Sequence, residues 1–149
     1  MQVWKSTALA GLLALASAMQ FRAADREMTL YERLGGQPAI QAVASELVDS
    51  ILADSRVNKW FAHAAASPEN TAAYKAKLAE FLCQSTQGPC KYSGLDMTAA
   101  HKGRGVTAAA FDAVVEDLIA VLKKLRVPAK EEGEVLKMLG SLKPVIVQK

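Results

Sequence analysis

Apolar residues recur along this chain at intervals of three and four, the spacing that gathers side chains on one face of a helix. Ile40, Val43, Leu47 and Ile51, with Val48 and Leu52 beside them, predict a helix running from after Gln37-Pro38 to about Ala53. Tyr74, Leu78, Phe81 and Leu82 mark a second long helix that ends before Gly88-Pro89. Its start is written in Ser67-Pro68-Glu69: a serine cap, a proline in the first turn where its missing N–H does no harm, and a carboxylate at the positive helix end. The broadest stripe is Phe111, Val114, Val115, Leu118, Ile119, Leu122 and Leu125, capped by Thr107 and reaching Arg126. Pro128 opens a last helix whose inner face is Val135, Leu136, Leu139 and Leu142, before Pro144 disturbs its final turn.

Shorter elements fill the gaps. Thr29-Leu30-Tyr31-Glu32 is a capping box, which predicts a short helix closing at Gly35-Gly36. Asp54 or Ser55 can cap a turn from Val57 to Phe61, and Ala62 to Ala66, with His63 inside it, reads as a connection. The polar segment Gln87 to Gly94 leads into a short helical piece, Leu95 to His101, closed by Gly103 and Gly105. The expected fold is all-α. Its length of 149 residues fits one domain, and a fold of that size buries roughly two thirds of its unfolded surface. Hydrophobic residues at 51% are enough for one such core. The chain contains neither an internal repeat nor a low-complexity segment.

The first residues carry a different message. Met1 to Lys5 hold one positive charge, Ser6 to Leu15 are almost wholly apolar, and Ala16-Ser17-Ala18 offers the small-x-small pattern of a signal-peptidase site. Residues 1–18 are therefore read as a signal peptide, 19–28 as a disordered polar lead-in and 29–149 as the folded domain. The apolar run is shorter than the about 20 residues of a membrane span, so a membrane role is confined to an uncleaved signal anchor. No cysteine follows to carry a lipid. Export to a bacterial periplasm is the expectation.

Charge narrows the partners. The formal charge is +3, from 18 basic and 15 acidic residues spread along the chain, without the basic stripe and interleaved aromatics of a nucleic-acid binder. Of the two histidines, His101 follows Met97 by one helical turn in a small, apolar segment. An imidazole so placed can face an apolar ligand while its other nitrogen donates to a backbone carbonyl, which fixes the tautomer for metal binding. Spacing alone favours an ordinary packed or surface histidine over a ligand, since no second ligand motif accompanies it.

Several motifs, taken in order, change that balance. Leu30-Tyr31-Glu32-Arg33-Leu34-Gly35-Gly36, Ile51-Leu52-Ala53-Asp54 through Trp60-Phe61, Gly88-Pro89, Tyr92-x-Gly94, Met97-x-x-Ala100-His101-x-Gly103-x-Gly105-Val106-Thr107, Phe111-Asp112 and Glu116-Asp117-Leu118 together resemble the group I truncated haemoglobins from Leu30 to about Val147. The resemblance implies a shortened globin fold, two crossed antiparallel helix pairs enclosing haem b, with His101 as the iron ligand. It implies that Phe61 packs on the ring and that Leu78, Phe81, Leu82, Met97, Val115 and Leu118 wall the pocket. Lys75, Lys77, Tyr92 and Arg104 become candidates for the propionates at its mouth.

The chain also departs from the family. Val48 stands in the register of the family's distal tyrosine and Leu78 in that of a distal glutamine; Tyr74, four residues before Leu78, is the one obvious substitute donor. Gln87-Gly88 replaces the second double glycine, and the link after Phe61 is longer than usual, which leaves His63 without a fixed place. Cys83 and Cys90 would lie roughly 10 Å apart on a continuous helix, too far for a disulfide with Cα atoms within about 7 Å. Gly88-Pro89 lets the chain fold back, so a disulfide and two free thiols, the first buried, both stand open. The expected function is reversible binding of a diatomic gas, O2, NO or CO. The alternatives are NO-dioxygenase-like or peroxidase-like chemistry with an unidentified reductase, and a haem-free helical binding module. The reading leans away from an enzyme.

Overall fold

The computed structural model describes residues 26–148 of the chain, and every regular element among them is helical. The expected signal peptide, and the lead-in as far as residue 25, lie outside the described residues; residues 26–28 carry no helix.

The capping box forms in full. Thr29 Oγ1 accepts from Glu32 N–H at 3.2 Å, and the Glu32 carboxylate accepts from Thr29 N–H at 2.8 Å. These bonds open α1, Leu30–Leu34. Gly35 ends it in the left-handed region at φ 107, where a side chain would be strained. α2, Gly36–Ala53, starts one residue later, so Gln37-Pro38 lies inside its first turn rather than ahead of it. A proline is harmless there because the first helical N–H groups have no partner in any case. Asp54 closes α2, and its carbonyl then accepts from Val57 and Asn58 N–H at 3.1 and 2.9 Å. That wraps residues Asn58–Phe61 into a 3-10 turn. Asp54, not Ser55, builds it.

α3, Pro68–Ser85, starts at the predicted Ser67 cap, whose hydroxyl accepts from Asn70 N–H at 3.2 Å. Past its end Gln87 takes φ +66, the conformation a glycine would adopt freely. The expected helix from Leu95 is shorter: Asp96 caps it by accepting from Ala99 N–H at 2.9 Å, so α4 is Met97–His101, and Leu95 is left outside, 65% exposed. α5, Ala108–Lys124, stops before the predicted Arg126, because Arg126 turns left-handed at φ 58 and Val127 N–H closes back on Leu122 O at 2.9 Å. The last predicted helix divides into α6, Ala129–Gly140, and α7, Lys143–Ile146, with Pro144 in the first turn of α7 rather than breaking a single helix.

α2 is the centre of the core. It packs on both α3 and α5, with Ile40, Val43, Leu47 and Ile51 facing Ala79, Leu82, Cys83, Phe111, Leu118 and Leu122. Burying one such aliphatic side chain contributes about 1.5–3 kcal/mol. Arg33 of α1 forks onto Glu131 and Glu134 of α6, holding the ends of the fold together. α4 packs chiefly on α7, and Gln148 N–H donates to Val106 O at 2.9 Å, so the C-terminal end braces the segment after His101.

Candidate functional site

The helices do not close on one another completely. They leave a cavity of about 380 Å³, within the range of small-molecule and cofactor sites. Most of the site residues expected from sequence line it: Phe61 from the 3-10 turn, Tyr74, Lys77, Leu78, Phe81 and Leu82 from α3, Tyr92 from the following segment, Met97 and His101 from α4, and Arg104 after it. Two further expectations fail. Val115 is not on the wall; Val114 lines it, together with Phe111 and Leu118. Lys75 faces away, paired with Asp49 at 2.7 Å.

His101 is oriented by its own helix. Its Nδ1 lies 2.7 Å from Met97 O. A carbonyl can only accept, so Nδ1 carries the proton and the neutral ring keeps its lone pair on Nε2. The five residues of α4 and the Asp96 cap are what bring that carbonyl and that ring into register.

Across the cavity the wall is nearly all apolar. α2 presents Leu47 and Ile51. Val48, in the family tyrosine's register, is buried at 1% exposure and does not line the cavity. Tyr74 is the exception: its ring meets Phe61 edge-on at 5.7 Å between centroids, and among the described residues no group hydrogen-bonds its hydroxyl. Burial, reinforced by Tyr92 and opposed by Arg104, pushes this hydroxyl up to about 12. It is therefore a neutral donor awaiting an acceptor.

The mouth is polar. Arg104 is exposed, has no carboxylate partner among the described residues, and offers its backbone carbonyl to the Trp60 indole N–H at 3.0 Å. Lys77 pairs with Glu80 at 3.0 Å and also reaches Ser93; hydrogen bonds from Lys77 and then from Ser93 hold the Glu80 carboxyl below its ordinary range. Tyr92 packs edge-on against Phe81 at 5.4 Å. Gly94 makes that possible, since a Cβ there would collide with the Tyr92 ring. His63, which sequence reasoning could not place, is exposed yet also borders the cavity. So do Leu47, Ile51, Met138, Leu139 and Leu142; the i, i+4 spacing of the first pair and of the Met138–Leu142 pair was the signal that could have found them.

Of the two states open to the cysteines, the structure has the disulfide. Cys83 and Cys90 are bonded with Cα atoms 5.7 Å apart, since Gly88-Pro89 does turn the chain back on α3.

This constellation suits haem: a slot walled by aromatic and aliphatic side chains, one imidazole with a free nitrogen, and an uncommitted guanidinium at the rim for carboxylates. Comparison with known proteins agrees. A model of the bacterial-like globin family matches residues 29–148. The group 1 truncated hemoglobin of Tetrahymena thermophila is 37% identical over 116 residues, covering 76% of this chain and 90% of that one. The group 1 truncated hemoglobin of a Synechocystis species is 35% identical over 117 residues, with 76% and 90% covered. Among solved structures, the Fe(III) form of truncated hemoglobin from Tetrahymena pyriformis superposes with a TM-score of 0.72 at 32% identity, over 82% of this chain and all of that one. The 2/2 hemoglobin of a Synechococcus species, with covalently attached heme, gives 0.68 at 31%, over 78% and 94%. The chain therefore belongs to the bacterial-like globin family. Within it, the relatives are group 1 truncated haemoglobins, and the fold is their two-over-two globin, with haem as its cofactor.

Proposed function

We propose that this chain holds haem b through His101 Nε2 and reversibly binds a diatomic gas, O2, NO or CO, on the side of the cavity bordered by Tyr74. The observation that carries the reading is the bond from His101 Nδ1–H to Met97 O, which leaves the other ring nitrogen as the lone-pair donor beside an apolar slot. Haem, when bound, supplies the iron at which the gas coordinates. Phe61, Phe81, Leu82 and Met97 would exclude water from the ring, Arg104 and Tyr92 would answer its carboxylates, and Tyr74 would offer a hydrogen bond to a ligand that carries partial negative charge.

Binding is favoured over turnover by the apolar residues that share the cavity wall with Tyr74. Leu47, Ile51 and Leu78 have no group that could relay a proton. A hydroxyl raised to about 12 gives up a proton reluctantly at neutral pH, so it serves as a hydrogen-bond donor rather than a general acid. Export is part of the same proposal. It rests on the signal pattern of residues 1–18, and a disulfide, which persists in oxidising compartments, supports it.

Haem titration of the purified domain tests the reading. A Soret band that saturates at one haem per chain and shifts on adding CO to the ferrous form is expected. A protein that takes up no haem stoichiometrically overturns it.

A further inference from the structure

The Cys83–Cys90 disulfide lies outside the cavity lining, yet it stands where the two sides of the cavity are joined. α3 carries Tyr74, Leu78 and Phe81 on one side; just past its end the chain turns and runs through residues 90–96 into α4 and His101 on the other. That connecting segment has no regular structure, and most of it is exposed. What docks it is a row of links to the last turns of α3. The disulfide is the first, Gln84 Oε1 accepts from Tyr92 N–H at 2.8 Å, and Glu80 accepts from Ser93 N–H and Oγ–H at 3.3 and 2.8 Å. Only the disulfide is covalent. The others are exposed hydrogen bonds, each worth little on its own.

We propose that this disulfide is a redox-set latch on haem retention: oxidised, it keeps residues 90–96 docked on α3 and so holds the lead into α4 and His101; reduced by a dithiol protein, it lets that segment open and haem exchange. The proposal rests on the haem reading above. Cys83 is 0% exposed, whereas Cys90 is half-buried at the edge of a groove beside Gln37 and Gln41, so Cys90 Sγ is the sulfur open to attack. A reductant thiolate bonds to Cys90 Sγ, the Cys83–Cys90 bond breaks, and Cys83 leaves as a thiolate that takes up a proton. The reductant's second thiol then displaces Cys90, which leaves as a thiol. Two electrons and two protons have passed from the dithiol, now a disulfide, to the cystine. Cys83 sits in the core beside the buried Leu82 and Thr86, whose packing is non-covalent, so the loss is expected to fall on local opening rather than on the whole fold.

Haem transfer to an excess of apomyoglobin, followed on the holoprotein before and after dithiothreitol and again after reoxidation, tests the latch. Reduction is expected to speed haem loss about tenfold or more, because a cross-link restricts the open segment far more than the docked one. Reoxidation should restore the slow rate. Cys90→Ala, which spares the buried Cys83, should lose haem at the fast rate and ignore dithiothreitol, while far-UV circular dichroism stays unchanged. Rates within twofold in the two redox states overturn the proposal, as does unfolding of the whole domain on reduction. Hydrogen exchange on the haem-free protein separates the two readings: faster exchange confined to residues 90–101 on reduction supports the latch whether or not haem is taken up, and unchanged exchange there refutes it.

Discussion

α3 and α4 face one cavity and are built in opposite ways. α3 has 18 residues, capped at its start and packed along α2, and most of its cavity face is apolar. α4 has five residues, none of them buried, between an exposed segment and a pair of left-handed glycines. The side that must hold one atom in place is thus the less regular side. It manages because the geometry needed there is local: a cap on Asp96, a carbonyl four residues before His101, and braces from α7, Gln148 and the disulfide. The long helix supplies shape, and the short one supplies direction.

The hardest blow to that contrast is His101→Ala. It removes the ligating nitrogen and the bond that orients it together, so haem loss should accelerate beyond about 100-fold, the upper range for losing an outer-shell partner alone. Because α4 buries no residue, the helical signal should survive. Haem titration with circular dichroism checks both. An unchanged ferrous spectrum in the variant would show that direction comes from elsewhere.

Next in size is the joint between the two sides. A Cβ on Gly88 would come within 2.6 Å of the Tyr31 ring, 2.7 Å of Cys83 Sγ and 2.8 Å of Cys83 O. The carbonyl and the cross-linked sulfur have little freedom to retreat, so Gly88→Ala should cost about 1–3 kcal/mol by overpacking. Urea unfolding of the oxidised protein measures it. A variant as stable as the wild type would mean that the turn is looser than its contacts indicate.

These two sides were not equally legible in the sequence. The orienting bond of His101 was legible because its acceptor, Met97 O, lies four residues away on the same short helix, and the capping box, the Ser67 cap and the fold-back at Gly88-Pro89 were legible for the same reason. Helix phase was harder. A wide apolar stripe on α5 does not say which edge meets the cavity and which meets a neighbouring helix, and so the pattern points to Val115 where Val114 lines the wall. On α2 the cavity face falls at Leu47 and Ile51, one step from Val48. Contacts between segments distant in sequence left no mark at all: the Trp60 indole on Arg104 O, Glu80 on Ser93, and the approach of His63 to the rim.

Tyr74→Phe probes the long helix more gently. The hydroxyl has no protein partner among the described residues, so its removal should leave stability nearly untouched and report on the ligand alone. One hydrogen bond is worth about 0.5–1.5 kcal/mol net, which corresponds to oxygen release roughly two- to tenfold faster. CO carries less charge and should hardly respond. Equal oxygen release in wild type and variant, by stopped flow, would leave α3 with shape and no chemistry.

The smallest effect is one of pH, and it asks whether Tyr74 is as sheltered as its surroundings imply. An exposed tyrosine loses its proton around pH 10. Burial raises this one to about 12 because the phenolate would lie against apolar walls, and Tyr92 adds to the rise more than Arg104 offsets. A raised value in the folded state means that neutral Tyr74 contributes its full share of stability below about pH 10, the unfolded value, and that this share is lost as pH climbs from there through about 12. The donor should therefore persist across the usable range, and oxygen release should be flat between about pH 7 and pH 9.5. A ligand accepting from the hydroxyl favours its protonated form and extends the plateau further. Were the hydroxyl bonded to the ligand but open to solvent as well, release would begin to quicken at about pH 9 in the wild type, as an ordinary tyrosine starts to ionise, while staying flat in Tyr74→Phe.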